Sequence, residues 1–260
     1  MDLSQAIDGK ISATFHGATP GATETETAFP SAWAQELAAL PSLVQRVDFL
    51  RDRLPASVRL VAVSKTFGAD RIREAYACGV RDFGENRVQE AELKQAELTD
   101  LVDIRWHLIG QLQSNKAKKA LELFDWIHSV DRLELAQRLD RLAADRPIAP
   151  KICLQVKLQP DPNKAGWSPG DLEAALPDLD RLEHLQICGL MAIPPLDLTP
   201  SELADFFAEA RSLADRLQSH PWQRLQITER SMGMSNDWPI ALNAGTTIIR
   251  LGRTLFGDRA

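Results

Sequence analysis

Residues 58–64 read VRLVAVS, and three more runs of the same kind follow: VRDFGE at 80–85, VDIRWHLI at 102–109 and DWIHSV at 125–130. Each is short and rich in branched or aromatic residues. Each is separated from the next by a stretch long enough for a helix, which is the pattern of strand–helix alternation. The series continues with KICLQVKL at 151–158, LQICGLMAI at 185–193, LQIT at 225–228 and TTIIRL at 246–251, making eight strands. Alternation alone fits a doubly wound open sheet as well as a closed barrel. A dinucleotide-binding sheet wants GxGxxG after its first strand, and none stands there; no GxxxxGK[ST] phosphate loop occurs anywhere. Eight repeats therefore predict an α/β fold of one domain, a single (β/α)8 TIM-type barrel.

Upstream, Leu37, Leu40, Leu43, Val44, Val47 and Leu50 form an apolar stripe between Ala32 and Leu54, which predicts an amphipathic N-terminal helix broken at Pro41. It is expected to cover the gap beside the last strand. Residues 1–30 are rich in Thr, Ala, Gly and Ser, the composition of a disordered N-terminal extension, so the barrel domain is read as 31–260.

The chain is 44% hydrophobic and 25% charged, enough to bury a sizeable core. A net charge of -6 supplies no global field for nucleic acid, so any affinity for phosphate must be local. Cys78, Cys153 and Cys188 are odd in number, widely spaced and free of any CxxC pair, which argues against a disulfide framework and a zinc site. No run approaches the ~18 apolar residues of a membrane span, and no basic region leads into an apolar stretch at the N-terminus. These features predict a cytoplasmic protein with no nucleic-acid or membrane partner.

In a (β/α)8 barrel the functional groups stand at the C-terminal ends of the strands. Here those ends are polar: Ser64-Lys65, Glu85-Asn86, Trp106-His107, His128-Ser129 and Arg250-Leu251-Gly252. Lys65 follows the apolar run 60–63, and burial at the barrel mouth would lower the pKa of its amine and free it to attack an aldehyde. A surface lysine just past a strand end is the equal alternative. A phosphate site in the last two strand–helix loops would tip the balance, through SMGMSN at 231–236 ahead of a helix near Asp237 and Gly252-Arg253-Thr254 after the last strand. Taken alone, SMGMSN also fits an ordinary capped turn. His107 and His128 read as satisfied core residues, no spacing supports a metal, and Ser114–Lys119 reads as a capped helix start with a solvated basic face.

Seven segments in order, AVSKTF at 62–67, FGENRVQE at 83–90, WHLIGQLQSNK at 106–116, HSVD at 128–131, GLMAIPP at 189–195, SMGMSND at 231–237 and RLGRTLFG at 250–257, resemble the pyridoxal phosphate homeostasis (YggS/PROSC) family. That family's fold is similar to the barrel domain of alanine racemase. The resemblance implies pyridoxal 5′-phosphate (PLP) as cofactor, held as a Schiff base on Lys65. It implies Asn86 and His107 near the ring, Ser235 on the phosphate, Arg250 facing the pyridine nitrogen, and Gly252 with Arg253 giving backbone N–H groups to phosphate. Arg253 stands where many members carry a small threonine.

The function so implied is intracellular vitamin B6 and PLP homeostasis without efficient catalysis, with apo PLP-dependent enzymes as recipients. An arginine opposite the pyridine nitrogen does not give up a proton at neutral pH, so the ring is a weaker electron sink. Racemases of this kind also use a second domain's base, for which the sequence up to Ala260 shows no counterpart. The alternatives are a weak amino-acid racemase or other fold-type III PLP enzyme, and a non-catalytic partner protein that senses cofactor state.

Overall fold

The computed structural model describes Phe29, residues 31–159 and residues 165–257. In chain order its elements are α1 (Trp33–Ala39), α2 (Leu43–Arg53), β1 (Arg59–Val63), α3 (Ala69–Ala77), β2 (Asp82–Glu85), α4 (Val88–Glu97), β3 (Arg105–Leu108), α5 (Ala117–Leu123) and β4 (Trp126–Val130). There follow α6 (Leu133–Ala143), β5 (Lys151–Val156), α7 (Pro169–Leu179), β6 (Gln186–Ala192), α8 (Pro200–Gln218), β7 (Glu229–Met234), α9 (Trp238–Asn243), β8 (Ile248–Leu251) and α10 (Arg253–Phe256). The strands pair in parallel with their sequence neighbours, and β8 closes onto β1 in the register Arg59↔Ile248 to Ala62↔Leu251, so the sheet is a closed barrel.

Strands buried on both faces read as near-continuous apolar runs, because helices cover the outside while side chains fill the inside. All four residues of β8 and all five of β4 are buried accordingly. Val61, Trp126, Cys153, Met191 and Ile248 form a small apolar cluster apart from the large one that joins strands to helices. Alongside it the buried polar residues Asp82, His107, His128, Ser231 and Arg250 project from five strands.

The expected N-terminal helix is two. Leu40 is extended at ψ 133°, as a residue before proline prefers, and the Ser42 hydroxyl accepts from the Gln45 N–H to restart the helix as α2. Both helices pack on α10, with α1 also on α9 and α2 on α3, beside the β8–β1 closure as expected. The reading of residues 1–30 as an extension falls outside the described residues except at Phe29. That residue exchanges hydrogen bonds with the Asn243 side chain and packs on Trp33.

Two local expectations are corrected. The seventh strand is Glu229–Met234, not 225–228: the Thr228 N–H turns back to the Gln226 carbonyl and ends the first apolar run, although Gln226 and Thr228 both reach β6. Ser231–Met234 of SMGMSN is therefore strand, and only Ser235 and Asn236 are loop. Its Gly233 holds φ 92° where a Cβ would meet the Ala241 Cβ at 2.7 Å, so glycine lets α9 close onto the strand. Ser114 does not cap α5. Its hydroxyl accepts from Arg132, and the chain enters α5 through a 3₁₀ turn.

Candidate functional site

Lys65 leaves the end of β1 at the barrel mouth, and its side chain is exposed. The expectation of a buried amine is thereby corrected: the apolar run that precedes it, Val61–Val63, is buried, but the lysine itself steps out of the barrel. Its backbone is fixed on both sides. Thr66 adopts φ 68°, a left-handed conformation costly for a β-branched residue, and its N–H donates to the Glu90 carboxylate. On the other side the Ser64 hydroxyl donates to Glu85 Oε1 at 2.7 Å.

A buried lysine ties these groups together. Lys94 Nζ donates to the Ser64 carbonyl at 2.8 Å, to Glu85 Oε1 at 2.7 Å and to Glu90 Oε1 at 2.8 Å. Burial pushes the Glu85 carboxyl up, against the bonds from Lys94 and Ser64, while Glu90 is held below its usual range because those same kinds of bonds outweigh its lesser burial. Sequence reading missed this cluster, although the spacing Glu90 to Lys94 on α4 marks an i,i+4 pair.

Across the closure, Gly252 lies against the strand end that carries Lys65: a Cβ there would meet the Val63 carbonyl oxygen at 3.5 Å and the Val63 Cβ at 3.6 Å. Gly252 begins the four-residue turn α10, whose first N–H groups have no intrahelical partner. A cavity of about 300 Å³ opens there, lined by Ser235, Asn236, Arg253, Thr254, Gly257 and, from α1 and α2, Ala38 and Arg46. The Thr254 hydroxyl donates to the Ser235 carbonyl at 3.2 Å and joins the two loops. Arg253 is exposed. Arg46 escaped the sequence reading because it sits on a helix read as mere cover; it donates to the Leu40 and Leu255 carbonyls.

Asn86 is half-buried past the end of β2. Gly110 is its counterpart after β3, where a Cβ would lie 2.2 Å from the Asn86 carbonyl oxygen, so the two loops approach backbone to backbone only because that position is glycine.

Arg250 is 3% exposed. Burial lowers its pKa to about 10, opposed by Asp237, so it is charged at neutral pH. Its Nη1 donates to Ser231 Oγ at 2.7 Å and its Nη2 to the Ala192 carbonyl at 3.1 Å, which uses two of five N–H donors. Behind Ser231 the contacts continue: Ser231 Oγ to His128 Nδ1 at 2.8 Å, His128 Nε2 to His107 Nδ1 at 2.9 Å, His107 Nε2 to Asp82 Oδ1 at 2.9 Å. His107 thus presents no free nitrogen to the barrel mouth. Both rings are fully buried, and burial lowers both pKa values, for His128 well below the usual value. Asp82, pushed up by burial, is nonetheless held below the usual carboxylate range by the bonds from Arg105 and His107. Among the described residues no group of three His, Cys, Asp or Glu is placed to hold a metal ion, and no helix is long and apolar enough to cross a membrane.

Residues 39–260 match the family model "Alanine racemase, N-terminal domain". The pyridoxal phosphate homeostasis protein of Synechocystis sp. is 51% identical over 206 residues, covering 79% of this chain and 94% of its own length. That of Pseudomonas aeruginosa is 42% identical over 228 residues, 87% of this chain and 95% of its own. The structure of PipY of Synechococcus elongatus with PLP bound superposes at TM-score 0.80 with 58% identity, covering 83% of this chain and all of that one. An alanine racemase of Clostridium difficile, 13% identical at TM-score 0.67, shares the fold over 84% of this chain.

Proposed function

Because the chain belongs to the pyridoxal phosphate homeostasis proteins, a branch of the alanine racemase N-terminal barrels, we propose that it binds PLP through Lys65 and serves intracellular PLP homeostasis. The observation that carries this reading is the register across the β1–β8 closure. It brings the strand end that carries the exposed Lys65 against Gly252, next to the loops that line a polar cavity of about 300 Å³, and Arg250 on β8 is a buried guanidinium with donors to spare.

The residues fit the group. Ser235, Gly252, Arg253 and Thr254 would take the phosphate with hydroxyl and backbone donors, Arg46 adding charge at the rim. Asn86 would flank the ring, Arg250 would meet the pyridine nitrogen, and His107 would act only through Arg250. Bound there, PLP supplies an aldehyde that condenses with amines and a ring that draws electrons from them. Arg250 limits the second property. A guanidinium with a pKa of about 10 keeps its proton at neutral pH and leaves the ring nitrogen unprotonated, so carbanions are poorly stabilised. We infer a carrier rather than an efficient enzyme.

Exposure of Lys65 suits that role. Among the described residues the Lys65 side chain is exposed, so an incoming amine on an apo PLP-dependent enzyme would reach it without an opening of the barrel. Loading with PLP, borohydride reduction and peptide mapping is expected to place the pyridoxyl group on Lys65. Label on another lysine, or none, overturns the reading. Amino-acid turnover at the roughly 1–10³ per second of ordinary enzymes would overturn the carrier assignment.

A further inference from the structure

We propose that His107, His128 and Ser231 are positioning residues: they form a one-way hydrogen-bond relay that fixes the Arg250 guanidinium at the cofactor by tying it to Asp82. The proposal rests on the reading that Arg250 serves PLP, and it concerns residues on β3, β4 and β7.

The direction of the relay follows from counting protons. Asp82 accepts Arg105 Nε at 2.8 Å and Nη2 at 2.6 Å and stays a carboxylate, so the 2.9 Å contact requires the proton on His107 Nε2. A neutral, fully buried His107 then has a bare Nδ1, and His128 Nε2 must donate to it. His128, neutral in turn, has a bare Nδ1 that takes the single Ser231 hydroxyl proton. Ser231 Oγ is left with lone pairs only, which is what Arg250 Nη1 needs. With both rings neutral no other arrangement satisfies all four contacts. Every proton points from Arg250 toward Asp82.

The order Ser–His–His–Asp looks like an extended nucleophile triad, and the geometry excludes that use. Ser231 is wholly buried, and its oxygen already receives a cationic donor that lowers its nucleophilicity. What the relay does instead is hold an acceptor in one orientation beneath a guanidinium that burial would otherwise destabilise. Two bonds, to Ser231 and to the Ala192 carbonyl, fix the plane of Arg250 and aim its remaining donors. Protonating His107 reverses the chain: its Nδ1–H turns His128 into a donor toward Ser231, whose own proton then has no acceptor. The charges that face this line are Arg59 and Asp125 toward His107, Arg59 and Arg250 toward His128, and Asp237 toward Arg250, with the Cys153 thiol, pushed up by Cys188 and burial, also facing Arg250.

The test has two arms. Nitrogen-15 NMR of the unliganded protein is expected to show both His107 and His128 as Nε2–H tautomers that do not titrate between pH 6.5 and 9. An Nδ1–H tautomer on either ring, or a titration in that range, overturns the relay whether or not PLP binds. In the second arm, PLP affinity and the visible absorption band of the loaded protein are compared across variants. His128→Gln carries one acceptor and one donor and is expected to match the wild type. His128→Leu and Ser231→Ala are expected to weaken PLP about tenfold and to shift the band, the loss of one bond to a charged group. Wild-type affinity and spectrum in both Leu and Ala variants refute the coupling to the cofactor, and equal loss in His128→Gln assigns the effect to packing. Failure of the wild type to bind PLP at all counts against the proposed function, while the NMR arm still judges the relay.

Discussion

Acidifying the protein from pH 7.5 to 5.5 should weaken it through His107 and His128, and the size of the effect can be worked from their burial. Both rings are fully buried and neutral, with folded pKa values below the usual one. A group whose folded pKa is depressed gives stability that is present above its unfolded pKa, near 6.5 for histidine, and is lost as pH falls toward the folded value. A ring held neutral throughout costs about 1.4 kcal/mol one unit below 6.5, which applies to His128, whose pKa lies well below the usual one; His107, whose lowering by burial is opposed by Asp82, adds less. Asp82, also depressed, has its window below about pH 4 and stays out of this range. Glu85 and Asp237 are raised by burial, so their contribution is fully present at low pH and is lost as pH rises; they oppose the histidines and reduce the net slope. The decisive quantity is therefore a difference. Urea unfolding at the two pH values should show His128→Gln losing about 1.4 kcal/mol less than the wild type, about half a molar in midpoint for a slope near 2–3 kcal/mol/M. Identical pH responses in the two proteins would refute the claim that the His128 ring is held neutral.

Three other perturbations separate the parts of the site. Ser235→Ala should weaken PLP by about 1.5–3 kcal/mol, one to two decades, in an equilibrium titration, and leave the affinity for pyridoxal, which lacks the phosphate, nearly unchanged. Gly110→Ala drives a methyl into the Asn86 carbonyl at 2.2 Å, so thermal unfolding should report a loss of about 1–3 kcal/mol with PLP affinity falling as the Asn86 loop moves. Lys94→Met strips the cation from two carboxylates, of which Glu85 is wholly buried, and should cost about 3–5 kcal/mol at pH 7, less at pH 5 where protonation of Glu85 relieves the burial.

The barrel was legible because its strands are buried on both faces and so announce themselves as apolar runs, with Pro41 marking the helix break. The seventh strand was misplaced for a physical reason. Leu225 and Ile227 are indeed buried, but the strand that follows is built of Ser231, Gly233 and two methionines, residues of low strand preference held by the closure itself. Lys65 and Gly252 stand at strand ends, where a barrel displays function, whereas Ser235 was singled out by the family resemblance. The burial of Lys65 could not be judged, since the step out of the barrel depends on the left-handed turn at Thr66. The relay was out of reach. Asp82, His107, His128 and Ser231 are scattered over 150 positions, and only closure of the sheet brings them into line.

A carrier and a catalyst ask different things of the same lysine, and the packing around Lys65 bears on which of them this barrel serves. A catalyst gains from excluding water and from a lysine poised to move protons inside a closed site. Here the backbone on either side of Lys65 is clamped, through Ser64 and Thr66, by a buried Lys94–Glu85–Glu90 cluster, while the amine itself stands in solvent. Rigidity thus lies where the chain leaves the barrel, and freedom where the proposed exchange with another amine would take place. Arg250 repeats the pattern on β8. It is buried, bonded to Ser231 and the Ala192 carbonyl and charged at neutral pH, so in the proposed complex it would hold a pyridine nitrogen in place without answering a change in its electron demand. Under the proposed function, a site firm in binding and unresponsive in electronics would retain an aldehyde and surrender it intact.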